Sequence, residues 1–133
     1  MIQIKKRIVL PISFFMFISY IIFLADTDNL NTWVEIIKVI PYGDKFMHAL
    51  LYGVMVFLLN YALLFSSINF KIYSIFKKPY YIIRLQKGAI LVLFFATIEE
   101  FSQHFITVRT FDIGDLFADF IGVILFSLIR IKV

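Results

Sequence analysis

The sequence predicts an all-α membrane protein. It reads as one domain over residues 1–133, a bundle of four transmembrane helices with a short interfacial helix between the first two. Three observations predict this. The chain of 133 residues is 62% hydrophobic and only 17% charged, which leaves more apolar surface than a soluble domain of that size can bury. Its apolar residues gather in four runs, about 8–25, 46–66, 88–107 and 112–129, separated by polar or basic connectors. Its basic residues are unevenly shared between the two sides of those runs, as insertion into a membrane requires.

Met1–Arg7 carries Lys5, Lys6 and Arg7, and Ile8–Ala25 follows without a charge. At about 1.5 Å per residue this run just crosses a hydrocarbon core of about 30 Å. Pro11 is expected in the first turn, where its missing N–H is harmless. A basic start before an apolar run also describes a signal peptide. Phe23 stands where the cleavage pattern needs a small residue, so a retained helix is expected. In the connector Asp26–Gly43, Thr32 and Glu35 have capping-box spacing. A helix from Trp33 would put Trp33, Ile36, Ile37 and Ile40 on one face, suited to the membrane interface, until Pro41-Tyr42-Gly43 stops it.

The second run opens on Asp44, Lys45 and His48. Asp44, His48, Tyr52 and Asn60 are spaced by multiples of four, which keeps them on one helix face; a bundle interior needs such a row and lipid does not. Asn69–Lys87 holds Lys71, Lys77, Lys78, Arg84 and Lys87 among aromatic residues and no acid. Between two spans this reads as a cytoplasmic loop against anionic headgroups, and no nucleic acid is expected as a partner. The third run carries Glu99, Glu100, Gln103 and His104 in its outer half. A short turn over Val108–Phe111 leads to the fourth, with Asp115, Asp119 and Gly122 near one face.

Four spans put both termini on one side. That side and the second loop hold ten of the thirteen Lys and Arg residues, and the other side holds all nine acids. Both termini are therefore expected in the cytoplasm of a multi-pass cell-membrane protein, with membrane lipids as partners. The polar residues then face outward. Five of the nine acids lie in Ile98–Gly122 alone. Each charge costs about 2.5–3.5 kcal/mol at the centre of a spanning helix, so these must be satisfied by one another or by a ligand.

The patterns Asp44-Lys45-x-x-His48-x-x-x-Tyr52 and Glu100-x-x-Gln103-x-x-x-x-x-Arg109, the latter continuing into Phe111-Asp112-x-Gly114-Asp115 and Gly122, resemble the VanZ-like family of small membrane proteins. The resemblance covers roughly Gly43–Tyr61 and Ile98–Phe126. Asp119 departs from it by standing where the family has Asn, and Phe126 by standing where a second Gly is expected. Thr107 and Val108 replace the Pro and Gly usual before the Arg. The resemblance implies an association with resistance to glycopeptide antibiotics, teicoplanin in particular.

Arg109 reads as a keystone, since its planar fork can hold two carboxylates; Glu100, Asp112, Asp115 and Asp119 are the candidate partners. The structural reading is a network that holds helices together. The functional one is an outward pocket in which Arg109 and Lys45 grip the anionic group of an envelope lipid or cell-wall precursor. Its candidate ligand-binding residues are Asp44, Lys45, His48, Tyr52, Glu100, Gln103, Arg109, Asp112, Asp115 and Asp119. The alternative is a small intramembrane hydrolase or transferase acting on a phosphorylated or glycosylated lipid, with His48, Glu100 and Asp115 as candidate acid–base groups. Ser102 and His104, two residues apart, point to different helix faces and make no nucleophile pair. Glu99, adjacent to Glu100, is expected to point away from the centre. His48, His104 and carboxylates include donors that suit zinc or iron. No local ligand spacing supports a metal, and neither metal nor cofactor is expected. The absence of cysteine excludes disulfides and thiol chemistry.

Overall fold

A computed structural model describes residues 2–27, 36, 39–72, 81–106 and 109–131. It is mostly helical, with four α-helices and a small hairpin: α1 (Ile2–Asp26), α2 (Gly43–Ala62), β1 (Ser67–Ile72), β2 (Tyr81–Gln86), α3 (Lys87–Ser102) and α4 (Ile113–Ser127). A single 3₁₀ turn, Gln103–Phe105, extends α3. The interfacial helix expected from Trp33 falls largely on residues outside those described.

Helix α1 begins earlier than the charge-free run, at Ile2, so Pro11 lies inside it rather than in its first turn. The cost is one missing hydrogen bond to the Arg7 carbonyl. Helix α1 and helix α2, of 25 and 20 residues, are long and apolar enough to cross a membrane. Helix α2 starts after Tyr42, whose left-handed backbone (φ 60°) makes the sharp entry, and ends four residues before the expected Ser66.

The hairpin corrects the all-α expectation. Strands β1 and β2 pair antiparallel, with Ile68 opposite Leu85 and Phe70 opposite Ile83. Opposed residues share a face, so Ile68, Phe70, Ile83 and Leu85 make one apolar side, while Asn69, Lys71 and Arg84 lie on the other. Arg84 donates to Asn69 across the strands at 3.3 Å.

Helices α2 and α4 make the most extensive helix pairing and run in the same direction. Gly122 lies against the backbone of Ala49, where a side chain would collide with the Ala49 carbonyl. One turn on, the Phe126 ring lies over Gly53, and a Cβ there would come within 2.5 Å of it. The contact that a second glycine at 126 would give is thus made by the glycine on the opposite helix. Helix α3 runs antiparallel to α2. Asn60 near the end of α2 donates to Gln86 just before α3, and Gln86 donates to the Ser127 carbonyl at 2.9 Å. This ties three elements at one end of the bundle. Ile18, Tyr52, Val56, Val92, Ala96 and Val123 form the buried core between this tie and the charged end.

Candidate functional site

The charged residues gather at the end of the bundle where α1 stops and α2 and α4 start. Lys45, in the first turn of α2, places its ammonium 2.7 Å from Asp112, 3.1 Å from Asp115 and 3.2 Å from Asp44. Asp112 caps α4 by accepting from the Gly114 N–H at 2.7 Å, a standard use of a carboxylate at a helix start. Asp115 one turn in follows the same preference for acids near the positive helix end. The cluster is wet: the side chains of Asp44 and Asp112 are 44% and 45% exposed.

One turn deeper, His48 sits beside Asp119, with Nδ1 at 3.0 Å from Oδ1, and its Nε2 is 3.8 Å from Asp115 Oδ2. Asp119 is fully buried, and its Oδ2 has no hydrogen-bond partner among the described residues. Glu100 is also fully buried. It accepts from the Asp112 backbone N–H at 2.9 Å and from Gln103 at 3.1 Å. The Gln103 amide also donates to Glu99 at 3.0 Å. Tyr52, a further turn along α2, stacks on the His48 ring and donates to Glu99 at 3.3 Å.

Arg109 is placed differently from the expectation. Its partners are Glu99 at 2.9 Å and Asp26 at 3.2 Å, and not Glu100, Asp112, Asp115 or Asp119. Those four are taken up by Lys45, His48 and backbone N–H groups of the α4 entry. Arg109 therefore fastens the end of α1 to α3. Glu99 likewise corrects the expectation that it points away. Helix α3 has neighbours on two sides, so Glu100 meets the α4 entry while Glu99 meets Tyr52 and Arg109. Sequence reasoning missed Asp26 as a partner; its place at the boundary of the first apolar run is the signal that could have found it. Gln86 was missed as well, and nothing in the sequence singles it out. Ser102 back-bonds to the Glu99 carbonyl at 2.6 Å. His104 is exposed and packs edge-on against Phe105, apart from the cluster.

All ten candidate ligand-binding residues thus lie in one connected network from α2, α3, the turn after it and α4. Seven carboxylates (Asp26, Asp44, Glu99, Glu100, Asp112, Asp115 and Asp119) meet two permanent cations, Lys45 and Arg109, and one imidazole. Among the described residues two triads could hold a metal, with one ligand atom per residue inside 4.8 Å: His48, Glu100 and Asp119, and Asp44, Asp112 and Asp115. The second is already occupied by the Lys45 ammonium. The first has no such occupant.

No protein-family model, no curated protein and no solved structure matches this chain.

Proposed function

We propose that the chain is a VanZ-like integral membrane protein with four spanning helices and both termini in the cytoplasm. Its charged end faces outward and binds an envelope lipid or cell-wall precursor through an anionic headgroup. The observation that carries this is a network of paired charges, assembled from all four helices at one end of the bundle, beyond a buried apolar core. Leu91, Phe94, Ile98 and Phe101 on α3, and Phe117, Phe120, Ile121 and Ile124 on α4, turn outward; lipid is the solvent that accepts such a belt. With its 3₁₀ turn, α3 reaches Phe105, about 28 Å at 1.5 Å per residue. Helix α4 is shorter and is accommodated by the flanking Leu128 and Ile129 and by local thinning.

The cation that meets the ligand is Lys45. Its side chain is 30% exposed and two of its partners, Asp44 and Asp112, are almost half exposed, so the ammonium lies within reach of a headgroup phosphate. Arg109, 17% exposed and held by two acids, is the structural member. The His48–Asp119 pair favours a second reading, acid–base chemistry on the same class of lipid, because the carboxylate orients the imidazole.

The test is lipid retention. The full chain is purified in mild detergent, and bound phosphatidylglycerol is measured by native mass spectrometry beside Lys45→Gln. Retained phosphatidylglycerol that is lost in Lys45→Gln, with thermal stability kept, supports the proposal. Equal retention by both proteins, or none by either, sinks it. Expression of the wild type should raise teicoplanin tolerance and Lys45→Gln should not.

A further inference from the structure

The first triad has a feature that ion pairing within the chain does not explain. Asp119 is fully buried, with one oxygen on His48 and the other without a partner among the described residues. A buried carboxylate oxygen without a partner is costly. Glu100 brings a second fully buried carboxylate to the same place. Neither permanent cation serves them, since Lys45 and Arg109 are held by Asp44, Asp112, Asp115, Asp26 and Glu99.

We propose that His48, Glu100 and Asp119 form a binding site for a divalent transition-metal ion of the zinc type. One imidazole nitrogen and two carboxylate oxygens suit zinc, iron and manganese. Two carboxylates with a neutral imidazole also cancel a dipositive charge. A tetrahedral ion with bonds of about 2.1 Å separates its ligand atoms by about 3.4 Å. The gaps here, at most 4.8 Å, close by side-chain rotation.

The surroundings are those of a metal centre. A metal-bound histidine turns its other ring nitrogen to an outer carboxylate or carbonyl. With Nδ1 on the ion, His48 Nε2–H faces Asp115 Oδ2, 3.8 Å away. Ligating carboxylates are themselves hydrogen-bonded, as Glu100 is by the Asp112 N–H and Gln103. The His48 side chain is 19% exposed, so the triad is in contact with solvent on the imidazole side. The sequence hides the site because its ligands come one each from α2, α3 and α4, with no local spacing to betray them. The proposal does not rest on the lipid reading, whose cation is Lys45.

The full chain in detergent, stripped with chelator and checked for helical content, is titrated with ZnCl₂ by calorimetry and with CoCl₂ by visible absorption. One ion per chain is expected, with cobalt showing the intense visible bands of a four-coordinate inner-sphere site. Asp119→Asn and His48→Ala should abolish binding. Asp115→Asn, which alters only the outer carboxylate, should weaken it by about 10–100-fold. His104→Ala should bind like wild type. A folded wild type that takes up neither metal overturns the proposal. So does undiminished binding by His48→Ala, or loss of binding in His104→Ala.

Discussion

The Lys45 cluster and the His48 triad below it are built from the same parts and differ in one respect. Each gathers carboxylates between α2 and α4. In the upper cluster an ammonium stands among three acids, two of them almost half exposed. In the lower one two fully buried acids meet an imidazole and, among the described residues, no permanent cation. Charge in the wet layer is satisfied by the chain and by water together, and each contact there is worth little. Charge in the dry layer has no such recourse, so its shortfall identifies where a ligand belongs.

Substitutions can break or sharpen this contrast. The largest effect is expected in the dry layer. Asp119→Ala, measured without metal, takes from His48 the nearer of its two acids, leaving Asp115 at 3.8 Å, opens a void between α2 and α4, and should cost about 3–5 kcal/mol; reversible unfolding in mixed micelles reads it. A cost below about 1 kcal/mol would mean the layer is wetter than its burial indicates. Arg109→Ala comes next, at about 3 kcal/mol, because it strands the buried Glu99 carboxylate. Adding Glu99→Gln should recover much of that loss, whereas adding Asp119→Asn should not. The opposite pattern of rescue would return Arg109 to the acids of α4. The smallest effect belongs to Asp44→Asn. Lys45 keeps Asp112 and Asp115, so the change should stay within about 1 kcal/mol.

The row Asp44, His48, Tyr52 and Asn60 was legible because helix periodicity fixes which residues share a face, and each of the four does find a polar partner. The partners are less legible. Which acid Arg109 reaches depends on where the end of α1 abuts α3, a fact of helix crossing that no local spacing encodes. Treating Glu99 and Glu100 as one inside and one outside assumed a helix with a single packed face; α3 has two. The alternation Ile68, Phe70 against Asn69, Lys71 was present for a strand to be read. Its basic residues, taken together with those around it, pointed to a lipid-facing loop and obscured it. The departure at Phe126 became intelligible only once Gly53 was seen opposite it, since compensation between helices has no signature along either one.

The parallel pairing of α2 with α4 also has a consequence for biosynthesis. A chain is made from its N-terminal end, so α2 emerges long before the helix it packs against most. Until residues 112–119 follow, Lys45 has only its neighbour Asp44 among its three acids, His48 lacks Asp119, and Glu100 lacks the N–H of Asp112. The hairpin and the Asn60–Gln86 contact can close early, because they join segments near in sequence. The charged end closes last, as the final helix is delivered. A chain arrested before that point keeps Lys45, His48 and Glu100 without the partners that residues 112–119 bring.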